Sequence, residues 1–208
     1  MEMSIFDIIL HKLDVRMITQ DLYLEYTTLL DEVHKKIMSI SVDMKNANQR
    51  KSWGRAIAAY DCLDDTIDAI FEFDSLSDTA YVARRPILYY YGILQALSIQ
   101  IEALKQLHFF FYGEQKRETD NQEYIVDVRN DIMHSCNKNG KESCFIAKSN
   151  NMEIGSLWYG IYENDGNYFD KTINLREAAL KQIQKICCLL KEFSSIPKEQ
   201  IHFYKSLQ

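Results

Sequence analysis

Proline and glycine are scarce in this sequence. Its 208 residues include two prolines and seven glycines. Both residue types interrupt helices, and turn-rich β folds depend on them. Their scarcity argues against an all-β sandwich or barrel and predicts a mainly α-helical protein.

Cysteine spacings typical of a metal site or a disulfide framework are missing as well. The five cysteines are an odd number, none forms a Cys-x-x-Cys pair, and Cys187 directly precedes Cys188. There is also no His-Glu-x-x-His motif and no glycine-rich phosphate loop. The acidic run 61–68 could bind a divalent cation, but such a run is more often a solvated helix face. We therefore expect reduced thiols, no cofactor and no bound metal.

The sequence has no excess of positive charge and no long apolar run. It carries 24 lysines and arginines against 30 aspartates and glutamates, a formal net charge of −6. This balance argues against non-specific adhesion to nucleic acid and leaves room for a small local RNA site. No apolar run reaches the roughly 18 residues that span a bilayer, and residues 1–4 lack the basic start of a secretory signal. We expect a cytoplasmic protein without a membrane partner.

Helical periodicity dominates the chain up to residue 136. Hydrophobic residues make up 47% of the sequence, enough to bury a full core, and we predict one domain over residues 1–208. Apolar residues recur every three or four positions in four stretches, at residues 4–40, 52–71, 79–112 and 121–136. The first stretch is one long helix or two in line. The third begins near Thr79 with a kink or at Pro86, because proline is tolerated in a first helical turn and disfavoured deeper.

The pattern changes after residue 140. Alternating segments within residues 143–173 are separated by Asn150-Asn151 and by Asn164-Asp165-Gly166, which is typical of an antiparallel hairpin or a three-stranded sheet. A last helical stretch covers residues 174–194 and ends before Pro197. The predicted fold class is all-α in the main: a bundle of about five helices, with a small antiparallel β insertion before the last long helix.

Three polar residues of the fourth helical stretch form the candidate site, namely Arg129, Asn130 and His134. At about 100° per residue they project away from the apolar face, which consists of Tyr124, Ile125, Val128 and Ile132. Asn130 and His134 are i and i+4 neighbours, so the amide can orient the imidazole. The alternative is that all three are ordinary surface residues, with a histidine in the last turn that complements the helix dipole.

The pattern of Arg129 and Asn130 followed by His134 resembles the Arg-x4–6-His signature of the HEPN superfamily (higher eukaryotes and prokaryotes nucleotide-binding). The preceding segment, 88–104, resembles the long helix that comes before the signature helix in a group of bacterial HEPN-like proteins. Together the two segments cover roughly residues 80–136. Where that group often has Gly-His-Pro, this chain has Met133-His134-Ser135.

The resemblance implies a HEPN-like bundle that acts as a metal-independent endoribonuclease of the toxin or defence type. In such an enzyme the RNA 2'-hydroxyl is the nucleophile, and the product ends in a 2',3'-cyclic phosphate. Arg129 would hold the phosphate, Asn130 would orient the histidine or contact the phosphate, and His134 would move the proton. The site is expected at a homodimer interface, and an antitoxin or another neighbouring-gene protein is a further expected partner. The alternative is a non-catalytic module for dimerisation or for protein or nucleotide binding.

Overall fold

The computed structural model of the chain describes residues 17–76, 86–114, 120–133, 142–146, 155–163 and 165–205. Five long helices lie within these ranges: α1 Gln20–Met38, α2 Ala47–Leu76, α3 Pro86–Tyr112, α4 Asp120–Met133 and α5 Leu175–Ser195. A 3-10 turn, Lys198–Gln200, leads into the short helix α6, His202–Lys205. None of the described helices is both long and apolar enough to cross a membrane.

Three strands lie between α4 and α5: β1 Glu142–Ile146, β2 Ser156–Glu163 and β3 Tyr168–Asn174. They form an antiparallel sheet in the order β1-β2-β3. The predicted turn is present, because Gly166 has φ of 89° and its N–H donates to the Glu163 carbonyl at 3.0 Å. The mainly helical fold with an antiparallel insertion before the last long helix is therefore confirmed.

Helix α1 begins at Gln20, which excludes one continuous helix over residues 4–40, whereas the alternative of two helices in line stays a prediction. Residues 17–19 are not helical, and the Thr19 hydroxyl accepts a hydrogen bond from the Leu22 N–H at 3.2 Å. This is an N-cap, which starts a new helix because it satisfies one of the first free N–H groups. Residues 4–16 lie outside the described residues.

Helix α3 occupies the centre of the bundle and packs on α2, α4, α5 and α6. Its buried side chains form two adjacent rows, one of Tyr90, Ile93, Ala96, Gln100, Ala103, Leu107 and Phe110 and the other of Leu94, Leu97, Ile101, Leu104, His108 and Phe111. Two rows on one helix mean that more than one side faces the core. Most of the apolar surface of α3 is therefore covered within one chain. The described part of α3 begins at Pro86. Residues 77–85 lie outside the described residues, so the choice between a start near Thr79 and a start at Pro86 stays a prediction.

The sheet lies against α4 and α5. On the inner face of β2, the side chains of Leu157, Tyr159 and Ile161 are buried, as strand alternation requires. Leu157 lies opposite Ile173 and Tyr159 opposite Lys171 on β3. The sheet thus forms one wall beside the helix that carries the candidate site.

A buried ion pair joins the end of α2 to the start of α5. The Arg176 Nε lies 3.3 Å from the Asp74 Oδ1, and the Arg176 Nη2 donates to the Asp74 carbonyl at 3.0 Å. The Ile18 N–H donates to the Asp74 Oδ2 at 3.0 Å. At Gly155, where φ is 84°, an added Cβ would lie 2.6 Å from the Arg176 side chain. Four separate parts of the chain therefore meet at one buried ion pair.

Candidate functional site

Helix α4 divides into an apolar face and a polar face as the sequence predicts. Ile125, Val128 and Ile132 are buried, whereas Arg129 and Asn130 are half-buried. Tyr124 departs from the prediction, because its side chain is 42% exposed. Its hydroxyl donates to the Thr172 carbonyl at 3.3 Å, so the polar end of the ring lies at the sheet and not in the core.

His134, the predicted proton carrier, lies outside the described residues, as do residues 135 and 136 of the predicted helix. The described part of α4 ends at Met133. The structure therefore brings together Arg129 and Asn130 of the predicted triplet and describes nothing of the third member.

Neutral amide oxygens hold the guanidinium of Arg129 in place. Its Nε and Nη2 both donate to the Oε1 of Gln95 on α3, at 3.4 and 3.2 Å. Its Nη1 donates to the Asn130 Oδ1 at 3.0 Å. A guanidinium has five N–H donors, so these three contacts leave one N–H on each terminal nitrogen. Those two N–H groups can bind both oxygens of one phosphate.

The positive charge of Arg129 has no carboxylate partner among the described residues, because none of their aspartates or glutamates forms an ion pair with it. Gln95 and Asn130 accept its hydrogen bonds without supplying a counter-charge. An oriented cation without a counter-ion is typical of an anion-binding site.

Asn130 makes a contact that spacing did not suggest, because its Oδ1 accepts from Arg129. The sequence predicted an amide that orients His134 or contacts the phosphate, and this stays a prediction because His134 lies outside the described residues. The Asn130 Oδ1 is occupied in positioning the arginine. The amide nitrogen is the remaining group on Asn130 that can reach a neighbouring residue or a phosphate.

Gln95 is the site residue that sequence reasoning missed. It lies 34 positions before Arg129, and only the packing of α3 on α4 brings the two together. A signal was present: Gln95, Ser98 and Glu102 follow one another at helical spacing on an otherwise apolar helix. A polar row on a buried helix indicates that this row faces something polar.

Asp131 anchors α4 to the sheet directly beside the site. Its carboxylate is 3% exposed and accepts from the Tyr159 hydroxyl at 3.4 Å and from the Lys171 ammonium at 3.3 Å. Tyr159 and Lys171 are cross-strand partners on β2 and β3. Because Asp131 follows Asn130 in the chain, these contacts fix the rotation of α4 and thereby the direction of the site residues.

A groove of about 680 Å³ opens beside Arg129, between α2, α3 and α4. Small residues on α2 and α3 form part of its wall and leave the space open, namely Ala58, Ala59 and Ala103. Gln95 and Arg129 lie in its lining together with a second arginine, Arg55 on α2. The site is therefore open to a ligand larger than a single anion.

Among the described residues, including the acidic run on α2, no group of three or more histidine, cysteine, aspartate or glutamate side chains is placed to hold a metal ion. Burial, together with the carboxylates of Asp68, Asp65 and Asp61, raises the pKa of Asp64. The Tyr23 hydroxyl donates to the Asp68 Oδ1 at 2.7 Å. This run supplies hydrogen bonds between α1 and α2.

Comparison with known proteins finds no similar protein whose function could indicate a role for Arg129. A function for the site therefore has to come from its own residues and geometry. No protein-family model matches the chain, and no curated protein or solved structure matches it either.

Proposed function

We propose that this protein is a metal-independent endoribonuclease of the HEPN type, with Arg129 and His134 as its catalytic residues. One observation carries the proposal: the Arg129 guanidinium is oriented by Gln95 and Asn130, lacks a carboxylate partner among the described residues, and lines an open groove. Such a group binds a phosphate and offsets the charge that develops on it during cleavage. The resemblance of the Arg129 to His134 segment to the HEPN signature supplies the reaction class.

The reaction needs no metal, because RNA carries its own nucleophile. The 2'-oxygen attacks the adjacent phosphorus and loses its proton, and the bond from phosphorus to the 5'-oxygen breaks. The 5'-oxygen leaves with a proton, so the products are a 2',3'-cyclic phosphate and a 5'-hydroxyl. Histidine suits both proton transfers, because its unperturbed pKa of about 6.5 lets it act as acid or base near neutral pH.

Cleavage in the presence of EDTA tests the proposal. Purified wild-type protein should cut mixed RNA substrates without added metal and leave 2',3'-cyclic phosphate ends. The matched control is His134→Ala, purified in the same way, which should cut far more slowly. Equal cleavage by both proteins would point to a contaminant or another site. No cleavage by either across diverse RNAs would contradict the proposal and favour the non-catalytic interaction module.

We also expect a homodimer. One chain supplies one signature histidine, and a reaction that needs both an acid and a base is completed by the histidine of a second copy. This expectation rests on the chemistry of the site and not on an exposed apolar face of α3, because two rows of α3 side chains are buried within the chain. Sedimentation velocity at micromolar concentration should give twice the mass of one chain. A monomer under these conditions would contradict the shared site.

A further inference from the structure

The groove beside Arg129 continues into a second surface pocket. Arg55, Gln106 and Phe109 line both, and the second pocket of about 360 Å³ extends to Lys51 on α2 and His202 on α6. The distance along α3 from Gln95 to Phe109 is roughly 21 Å, at 1.5 Å per helical residue. We call this continuous surface, from Arg129 through Arg55 and Phe109 to Lys51 and His202, the α2–α3 track.

The track is positively charged, whereas the chain as a whole carries a negative net charge. Lys51, Arg55 and Arg129 line it, whereas the sequence as a whole is acidic. Among the described residues that line the two pockets, Glu102 is the one carboxylate, and it pairs with Lys105 at 2.7 Å. Arg55 is exposed and forms no ion pair or hydrogen bond with a described residue. Cations gathered in a groove on an acidic protein indicate a polyanionic ligand.

The track also offers a stacking surface and hydrogen-bonding groups. Phe109 is 40% exposed, and its ring lies 6.0 Å from that of His202 at an angle of 64°. An exposed aromatic ring among cations is the arrangement on which unpaired bases stack. The side-chain amide of Gln106, which lines both pockets, supplies the hydrogen-bonding groups.

We infer that the α2–α3 track binds single-stranded RNA on one side of the scissile phosphate. Arg129 holds that phosphate, Arg55 and Lys51 contact further phosphates, and a base stacks on Phe109. The strand is single because stacking on Phe109 needs a base whose face is free. This inference rests on the proposed function, since Arg129 marks the position of the cut.

Measuring RNA binding in the absence of cleavage tests the track separately from catalysis. We would measure fluorescence anisotropy of a labelled single-stranded RNA of about a dozen nucleotides, within the usual site sizes, in EDTA and with the full chain carrying His134→Ala. In that background Arg55→Glu and Lys51→Glu should each weaken binding roughly tenfold, the effect of losing a charge-assisted contact. Each should also make the plot of log affinity against log salt less steep by about one unit, because one phosphate contact is lost.

Two further variants make the test specific. Phe109→Ala should weaken binding by about fivefold or more with the salt slope unchanged, because stacking carries no charge. Lys181→Glu, the matched control, makes the same charge reversal at an exposed position on α5, which lines neither pocket, and should leave affinity within about twofold. Circular dichroism of every variant should match the parent protein.

The outcomes separate the track from the proposed ribonuclease. If Arg55→Glu weakens binding no more than Lys181→Glu, or if the parent binds no single-stranded RNA, the track assignment is overturned whatever the cleavage assay shows. Duplex RNA bound as tightly as the single strand would overturn it too. If the track variants weaken binding as expected and the wild-type protein never cleaves, the track stands and the ribonuclease proposal falls.

Discussion

His134→Ala should lower RNA cleavage by roughly 10²- to 10⁴-fold, the usual contribution of a general acid or base. Alanine removes the group proposed to move the proton and leaves the proposed phosphate ligand, Arg129, in place. Substrate should therefore still bind, and the loss should appear in the rate of the chemical step. Single-turnover cleavage of labelled RNA in EDTA, with protein in excess, measures that rate directly. A decrease confined to binding would contradict the assigned role.

Variants of the two neighbouring residues extend the same prediction to phosphate binding. Arg129→Ala should reduce cleavage about as much as His134→Ala. Arg129→Lys should recover little of it, because an ammonium keeps the charge but cannot retain the Gln95 contacts and grip two phosphate oxygens in one plane. Asn130→Ala should cost less than either, since Gln95 still orients the guanidinium. Full activity of Arg129→Lys would show that charge alone suffices at this position.

Arg176→Leu should destabilise the fold by about 3–5 kcal/mol, the usual cost of breaking a buried ion pair from one side. The side chains of Arg176 and Asp74 are 8% and 3% exposed, so water cannot replace the lost guanidinium. The substitution also removes the hydrogen bond to the Asp74 carbonyl at the end of α2. Urea unfolding, followed by circular dichroism at neutral pH, should show the change as a lower midpoint with an unchanged slope.

An exposed ion pair within α1 provides the control for this prediction. Lys35 pairs with Asp31 at i,i+4 spacing, and their side chains are 73% and 53% exposed. Lys35→Leu should leave the urea midpoint almost unchanged, because water solvates both groups. Asp74→Asn added to Arg176→Leu should recover part of the loss, because it removes the buried charge. Equal effects of Lys35→Leu and Arg176→Leu would contradict a special role for the buried pair.

Local sequence patterns predicted the helices and strands but not the residues at which they begin and end. The Asp165-Gly166 turn was predictable because a positive φ at the turn suits glycine. The start of α1 at Gln20 was not, because the apolar spacing runs through Thr19 without a break. A threonine hydroxyl can cap a helix or point to solvent, and only the observed bond to Leu22 decides between the two.

The candidate site shows the same division between local and distant contacts. The turn of the helix predicts that Arg129 and Asn130 leave the apolar face, and the structure agrees. Helical spacing does not predict that Asp131 is buried, because an aspartate beside two polar residues looks like a third surface group. Asp131 is buried because Tyr159 and Lys171 supply its hydrogen bonds and counter-charge. These two residues belong to strands that come later in the sequence.

The sequence by itself determined that this protein is a helical bundle with a small antiparallel insertion, and that one helix carries an arginine and an asparagine on its polar face. Both properties follow from the spacing of apolar residues, which depends on neighbours a few positions away. Only the tertiary structure decided that Gln95 holds Arg129, that Arg55 lines the same groove, and that Arg176 reaches Asp74. These contacts join residues far apart in the chain, and they form because the apolar faces of several helices must be covered at once. No local pattern specifies which helix covers which face.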